Sequence, residues 1–262
     1  MSTEARQGVV PHARGRAVTS RVGDDDRLRV EWSEPADTEI VLRHLEPADT
    51  EIVLRHVETG EERGASDLTV LSVGIWMASY RGEPVATDDP GFSLDGLWSY
   101  AETRRNREIR AFRTSLGTLG LRVREVEPYV EVIRVIADDG VIAVEGAVAY
   151  GDPIRGEARL VAVARRGPEP VSGPATFQGR WVEGAIEIAP MAEAQVRRRV
   201  FWDLYAEISG VRLPLATRLD DITDKKIKVR FPAQHVGQVR VRPYYTETDG
   251  LAVALSVEEE KP

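Results

Sequence analysis

Runs in which polar and apolar residues alternate one by one recur along this chain, and they limit its fold more than any other feature. They include "RLRVEW" (Arg27–Trp32), "EVIRVI" (131–136), "VIAVEGAVAY" (141–150), "ARLVAVAR" (158–165), "GAIEIA" (184–189), "DLYAEI" (203–208), "KIKVRF" (226–231), "QVRVRPYY" (238–245) and "GLAVALSV" (250–257). Period-two alternation rich in valine and isoleucine marks strands with one face buried. Turn residues separate the runs: Asp138-Asp139-Gly140, Gly151-Asp152-Pro153, Gly167-Pro168 and Thr248-Asp249-Gly250, the last reading as a hairpin. The paired aspartates read as turn acceptors and not as metal ligands.

Helical signal is sparse. "LWSYAETRRNREIRAF" (Leu97–Phe112) predicts a short helix around Ala101–Arg107, and "PMAEAQVRRRV" (Pro190–Val200) predicts another that opens on proline. Many short strands with few short helices point to an all-β protein of two tandem immunoglobulin-like β-sandwich domains. The expected divisions are an N-terminal tail (1–25), a first sandwich (26–126) and a second (127–259). A length of 262 residues is enough for two cores.

A faint internal repeat supports the pairing. Arg110-Ala-Phe-Arg-Thr114 followed by Leu119-Gly-Leu121 matches Arg242-Pro-Tyr-Tyr-Thr246 followed by Leu251-Ala-Val253. Upstream, "WMASYRGEPVATDD" (Trp76–Asp89) matches "WDLYAEISGVRLPLATRLDD" (Trp202–Asp221) in the same order. Order-preserving self-similarity points to duplicated domains. Each tryptophan reads as a core anchor and each Arg-x-aromatic-x-Thr segment as a strand end.

Composition narrows function. The net charge of -8 argues against a general nucleic-acid binder. With no cysteine there is no disulfide, thiolate zinc site or cysteine nucleophile. No run approaches the ~20 apolar residues of a membrane span, and the first residues lack an apolar run of signal-peptide length. A cytoplasmic protein, peripheral at most at the inner membrane face, is the expectation. A nucleophile elbow, P-loop, dinucleotide fingerprint and His-Glu-x-x-His are absent, and "VSGPA" around Ser172 reads as a loop. Neither a metal nor a cofactor is expected, and no residue stands out as catalytic.

"FWDLYAEISGVRLPLA" followed by "VRVRPYYTETDGLAVALSV" resembles the β-rich accessory region of actinobacterial teichoic-acid-type transferases, the CDP-glycerol glycerophosphotransferases and related family 2 glycosyltransferases. A Trp-Asp-x-Tyr strand, a Gly-x-Arg turn and a late Arg-Pro-Tyr-Tyr-Thr strand carry the resemblance. It covers the second half, and reaches the first only through the repeat. The catalytic α/β domain of those enzymes has no counterpart here. The resemblance therefore implies an accessory or binding module that stands alone. Its expected partners are a carbohydrate or polyol-phosphate polymer and a cell-wall polymer transferase. Two alternatives stay open: a transferase or glycan-active enzyme with an unrecognised site, and a scaffold whose sheet edges pair with a partner. The candidate binding residues are Trp98, Tyr100, Trp181, Arg212, Arg242, Tyr244 and Tyr245. The basic clusters Arg104–Arg107, Arg197–Arg199 and Lys225–Lys228 read as solvated faces, with an anionic contact as the alternative.

One repeat is exact: "EPADTEIVLRH" occurs at Glu34–His44 and at Glu46–His56. "EPAD" is turn chemistry and "TEIVLRH" is strand-like. The copies can pair as a hairpin, Thr38–Leu45 against Thr50–Val57. Alternatively one copy joins the sheet and the other bulges as a surface loop. The second outcome is expected, because a packed core has no vacancy for an extra strand. Deleting Glu34–Leu45 should then leave the melting temperature nearly unchanged in calorimetry; a large drop would show both copies built into the fold.

Overall fold

The computed structural model describes residues 16–33, 52–154, 156, 158–194 and 199–257. They divide into two compact units, Met1–Gly96 with Arg107–Glu125, and Leu97–Asn106 with Val126–Pro262.

In the first unit, β1 (Arg16–Val22) and β2 (Leu28–Ser33) form an antiparallel ribbon. The main sheet uses β3 (Ile52–His56), β4 (Glu62–Gly64), β5 (Gly74–Tyr80), β6 (Glu83–Pro84), β7 (Arg107–Arg113) and β8 (Leu119–Glu125). Its order is β4-β3-β5-β8-β7, with β6 paired to β5. Leu54, Trp76, Leu119 and Leu121 are fully buried in its core. The second copy of the exact repeat ends in β3, and the first copy lies outside the described residues. His56, the last residue of that second copy, is a core residue. It meets Trp76 edge-on at 5.0 Å, and its Nδ1 accepts the N–H groups of Glu58 and Thr59. Gly74 must stay glycine beneath it. Its φ is +144°, and an added Cβ would lie 2.1 Å from His56 Nε2.

The second unit contains β9 (Tyr129–Asp138), β10 (Val141–Ala149), β11 (Ala158–Ala164), β12 (Val171–Gln178), β13 (Trp181–Glu187), β14 (Arg199–Ile208), β15 (Val211–Ala216), β16 (Gln234–Val236), β17 (Val239–Tyr245) and β18 (Leu251–Val257). Seven of them close a ring, β11-β12-β13-β10-β9-β15-β14 and back to β11. Every pairing in the ring is antiparallel except β9 with β15. Beside β15, β14 also pairs with β18, which extends the sheet into a wing of β18, β17 and β16. Val130, Ile142, Leu160, Ile186, Trp202 and Leu204 are among the residues that fill the interior.

The chain is thus mostly β, as expected, but the second unit is a closed mixed barrel with a wing and the first a smaller antiparallel sheet with a ribbon. A pair of immunoglobulin-like sandwiches is not what forms. Alternation reports only that one face of a strand is buried, and a barrel wall satisfies it as well as a sandwich does. Several local readings also change. "VSGPA" lies in β12. "KIKVRF" is not a strand: Lys225–Lys228 form a single helical turn, α3. The other helices are shorter or earlier than expected, α1 at Leu94–Ala101 and α2 at Ala189–Glu193, with β7 starting at Arg107.

The faint repeat is structural. Trp76 pairs with Leu121, which pairs with Ala111; Trp202 pairs with Val253, which pairs with Pro243. Arg81-Gly82 and Ser209-Gly210 turn the same hairpin with positive φ at both residues. Thr87 donates its N–H to Gly117 O at 2.9 Å, and Thr217 donates to Asp249 O at 3.0 Å. Each unit therefore builds the three-stranded set β5-β8-β7 or β14-β18-β17 on one register.

The barrel wall has a tight backbone approach between β12 and β13. A Cβ on Gly173 would lie 2.1 Å from the carbonyl oxygen of Ala185. Gly173→Ala is expected to lower stability by about 2 kcal/mol, the scale of an overpacking, as read from urea denaturation; an unchanged midpoint would contradict this account of the β12–β13 packing.

Candidate functional site

The side of β14 that faces the barrel interior carries Val200, Trp202, Leu204 and Ala206. Alternation therefore places Phe201, Asp203, Tyr205 and Glu207 on the outer face. The register then sets rows across the wing. Arg199 pairs with Ser256 and that with Arg240. Phe201 pairs with Ala254 and that with Arg242. Asp203 pairs with Ala252 and that with Tyr244. Small side chains on β18 thus floor a shallow trough, walled by β14 on one side and β17 on the other.

Phe201 and Tyr244 meet edge-on across the trough, with ring centroids 6.0 Å apart. The guanidiniums of Arg199 and Arg165 lie 5.1 and 5.7 Å from the centre of the Phe201 ring. Arg165 also grips Asp203 in a two-pronged bond, Nε and Nη2 each within 3.1 Å of a carboxylate oxygen. That bond raises the Arg165 pKa. Further along β14, Glu207 accepts from Arg212 Nε at 2.6 Å and from Arg159 Nε at 2.9 Å. Those bonds, Arg212 first, hold its carboxyl below the usual range. Partial burial raises the Tyr244 hydroxyl. Arg242 makes no hydrogen bond or ion pair among the described residues. The face carries more guanidinium than carboxylate on a chain whose net charge is -8.

The equivalent face of the first unit is filled. Glu108 on β7 is buried and bonds the guanidiniums of Arg110 and Arg124. Arg122 on β8 lies over the Phe112 ring at 5.7 Å. Phe112 in turn covers Gly120, where a Cβ would meet the ring at 2.6 Å. Arg122 and Arg124 occupy the positions of Ala254 and Ser256. The first face is covered by long side chains, whereas on the second Ala252 is fully covered and Ala254 and Ser256 stay half-buried.

No family model matches this chain, and no curated protein does. Its fold is distantly similar to two crystal structures of S. aureus TarS. One shares 11% identity at a TM-score of 0.39, covering 63% of this chain and 33% of that one. The other, TarS 217-571, shares 12% at 0.39, covering 61% of this chain and 48% of that one. The chain spans half or less of the length of the TarS chains it matches. A likeness this remote adds nothing to the geometry above.

Of the candidate residues, Arg212, Arg242 and Tyr244 share the outward side of this sheet. Tyr245 faces the core, where Thr217 Oγ1 donates to its hydroxyl at 3.0 Å. Tyr100 is buried beneath the Arg105 guanidinium, 3.8 Å from the ring centre, and Trp98 is half-buried on α1. Trp181 lies on β13, away from this face. Phe201, Asp203, Arg165 and Arg199 complete the face; of these only Arg199, within the Arg197–Arg199 cluster, is singled out by sequence. For Arg199, Phe201 and Asp203 the signal lies in "RVFWDLYAEI", since residues alternating with a core tryptophan face outward. The basic clusters are largely tied down: Arg104 to Asp152, Lys226 to Glu247, and buried Lys225 to Asp220 and Thr217 O. Arg197 and Arg198 lie outside the described residues.

Another polar cluster is structural. Glu131 on β9 is buried, although it faces away from the interior. It accepts the N–H groups of Arg218 and Leu219 at 2.8 to 3.1 Å and the Tyr129 hydroxyl at 2.7 Å. Burial raises its pKa despite these bonds, and pushes the Tyr129 hydroxyl far above the usual phenol range. The Arg218 and Leu219 donors hold the segment after β15 against β9, while Tyr129 bonds Glu131 from within β9. No helix among the described residues is long and apolar enough to cross a membrane, and none of their acidic or histidine side chains group as a metal site.

Because the folded state raises the Glu131 pKa above its unfolded value, the folded protein keeps that proton longer. The stability this contributes is full below the unfolded carboxylate pKa and is lost as pH rises through the folded one. Glu131→Gln should remove this decline, so that its stability relative to wild type climbs across that window. Urea denaturation at a series of pH values checks this; parallel profiles would contradict it.

Proposed function

We propose that the protein is a non-catalytic binding module for a carbohydrate or polyol-phosphate polymer of the kind handled in cell-wall polymer synthesis. It acts on the cytoplasmic side, beside a polymer transferase. The observation that carries this reading is the contrast between the paired faces. Glu108, with Arg110, Arg122 and Arg124, covers one of them with long side chains. Small side chains on β18, with Ala254 and Ser256 half-buried and Ala252 covered, leave the other as a shallow cationic, aromatic surface. Apolar rings flanked by guanidiniums suit a chain of polyol or sugar units that carries anionic linkages. The resemblance of "FWDLYAEISGVRLPLA" and "VRVRPYYTETDGLAVALSV" to accessory regions of teichoic-acid-type transferases supports the same ligand class.

Affinity electrophoresis through gels that contain purified wall teichoic acid tests the reading. Wild-type protein should be retarded, and less so as salt rises, since exposed charge is screened. Arg242→Ala with Tyr244→Ala should weaken binding about tenfold, the effect of losing roughly one charged contact. No retardation, or retardation that the double variant keeps, would sink the proposal.

A further inference from the structure

Trp181 is 62% exposed, the first residue of β13. Burying a tryptophan is strongly favourable, and Trp181 alone of the five tryptophans lies mostly in water, on a firmly placed strand. It has no ring or cation partner among the described residues. Its backbone is nonetheless firmly placed. Gln178 and Trp181 pair across the tight turn Gly179-Arg180. Arg180 Nη1 donates to Gly151 O at 2.7 Å and to Val148 O at 3.2 Å. Ile154 donates its N–H to Gly179 O at 3.1 Å. The hairpin tip is thereby pinned to the loop that follows β10.

The surroundings of the ring fix the chemistry of its partner. Trp181 pairs with Ala147 on β10 and with Gln178 on β12. Ala147 is small and buried, so nothing bulky on β10 covers that flank. The next row on the same face is Glu145, Glu183 and Thr176. Glu145 is occupied by Arg134 at 3.0 Å, whereas Glu183 makes no ion pair among the described residues. An apolar plate edged by an amide, a hydroxyl and a carboxylate presents one stacking surface and several hydrogen-bonding groups. The carboxylates oppose an anionic ligand, in contrast to the trough on β14, β18 and β17. β11 and β12 separate β13 from β14 in the ring, so the two faces are distinct.

We propose that Trp181, with Gln178, Thr176 and Glu183, forms a second binding site, which takes the face of an uncharged sugar ring in a neutral polysaccharide. This site does not rest on the anionic-polymer reading, and either can fail alone.

The test follows the indole N–H resonance of Trp181 in ¹⁵N-labelled full-length protein, assigned by its loss in Trp181→Phe. Dextran, soluble amylose, xylan and a β-1,4-linked oligoglucan are titrated separately, with choline as a cationic control. At least one neutral polysaccharide should shift the resonance, and the shift should survive high salt. Gel retardation by that polysaccharide should weaken about tenfold in Trp181→Ala, as a lost aromatic contact implies. It should persist in Arg242→Ala. If choline alone moves the resonance, if none of the polysaccharides does, or if Trp181→Ala binds as well as wild type, the proposal is overturned.

Discussion

The parallel contact between β9 and β15 is the seam on which the second unit depends. Only two residue pairs make it, Leu215 with Val130 and Ala216 with Glu131. Without it the remaining strands would form an open sheet with two bare edges. Glu131 fastens the seam from outside by taking the backbone N–H groups of Arg218 and Leu219. Thr217 adds a bond to Val132 O at 3.3 Å. A buried carboxylate that accepts several backbone donors is costly to desolvate, and it fixes geometry in return. The first unit uses the same device in reverse. Asp89, on the segment after β6, accepts the N–H of Ser20 on β1 at 2.9 Å, beside the parallel bridge of Ala17 and Thr87.

Given that frame, the paired three-stranded sets differ mainly in what covers them. Long side chains on β8 interlock with Glu108 and Phe112, so that face is covered. Short ones on β18 leave Phe201, Tyr244 and Arg242 accessible. Strand register alone places these residues, so two units of one plan present opposite surfaces without a change in backbone. The exposed ring on β13 arises the same way, from alternation beside a core-facing Val182.

Much of this was legible in the sequence. Alternation located most strands, the Asp-Gly turns located hairpins, and the two tryptophans fell in matching rows as core anchors. Ring closure was not legible, because β9 and β15 are far apart in sequence and meet through two pairs. The role of Glu131 was hidden for a related reason. In "YVEVIRVI" it occupies an outward position, where a carboxylate is ordinarily solvated, and only the returning Arg218–Leu219 segment buries it. "KIKVRF" misled because Lys225 turns inward to Asp220, which fixes a helical turn where alternation suggested a strand. Of the site, Arg212, Arg242 and Tyr244 were found by residue type, whereas Phe201 and Asp203 required knowing which face of β14 was covered.

Strand β14 is bonded on both edges along its length, by β11 on one side and by β18 and then β15 on the other. It cannot come free unless the barrel wall and the wing open together. The two are therefore coupled through β14, which both must release before it opens. A molecule held on the outer face of the wing would accordingly act on the persistence of the whole barrel, and not only on the strands it touches.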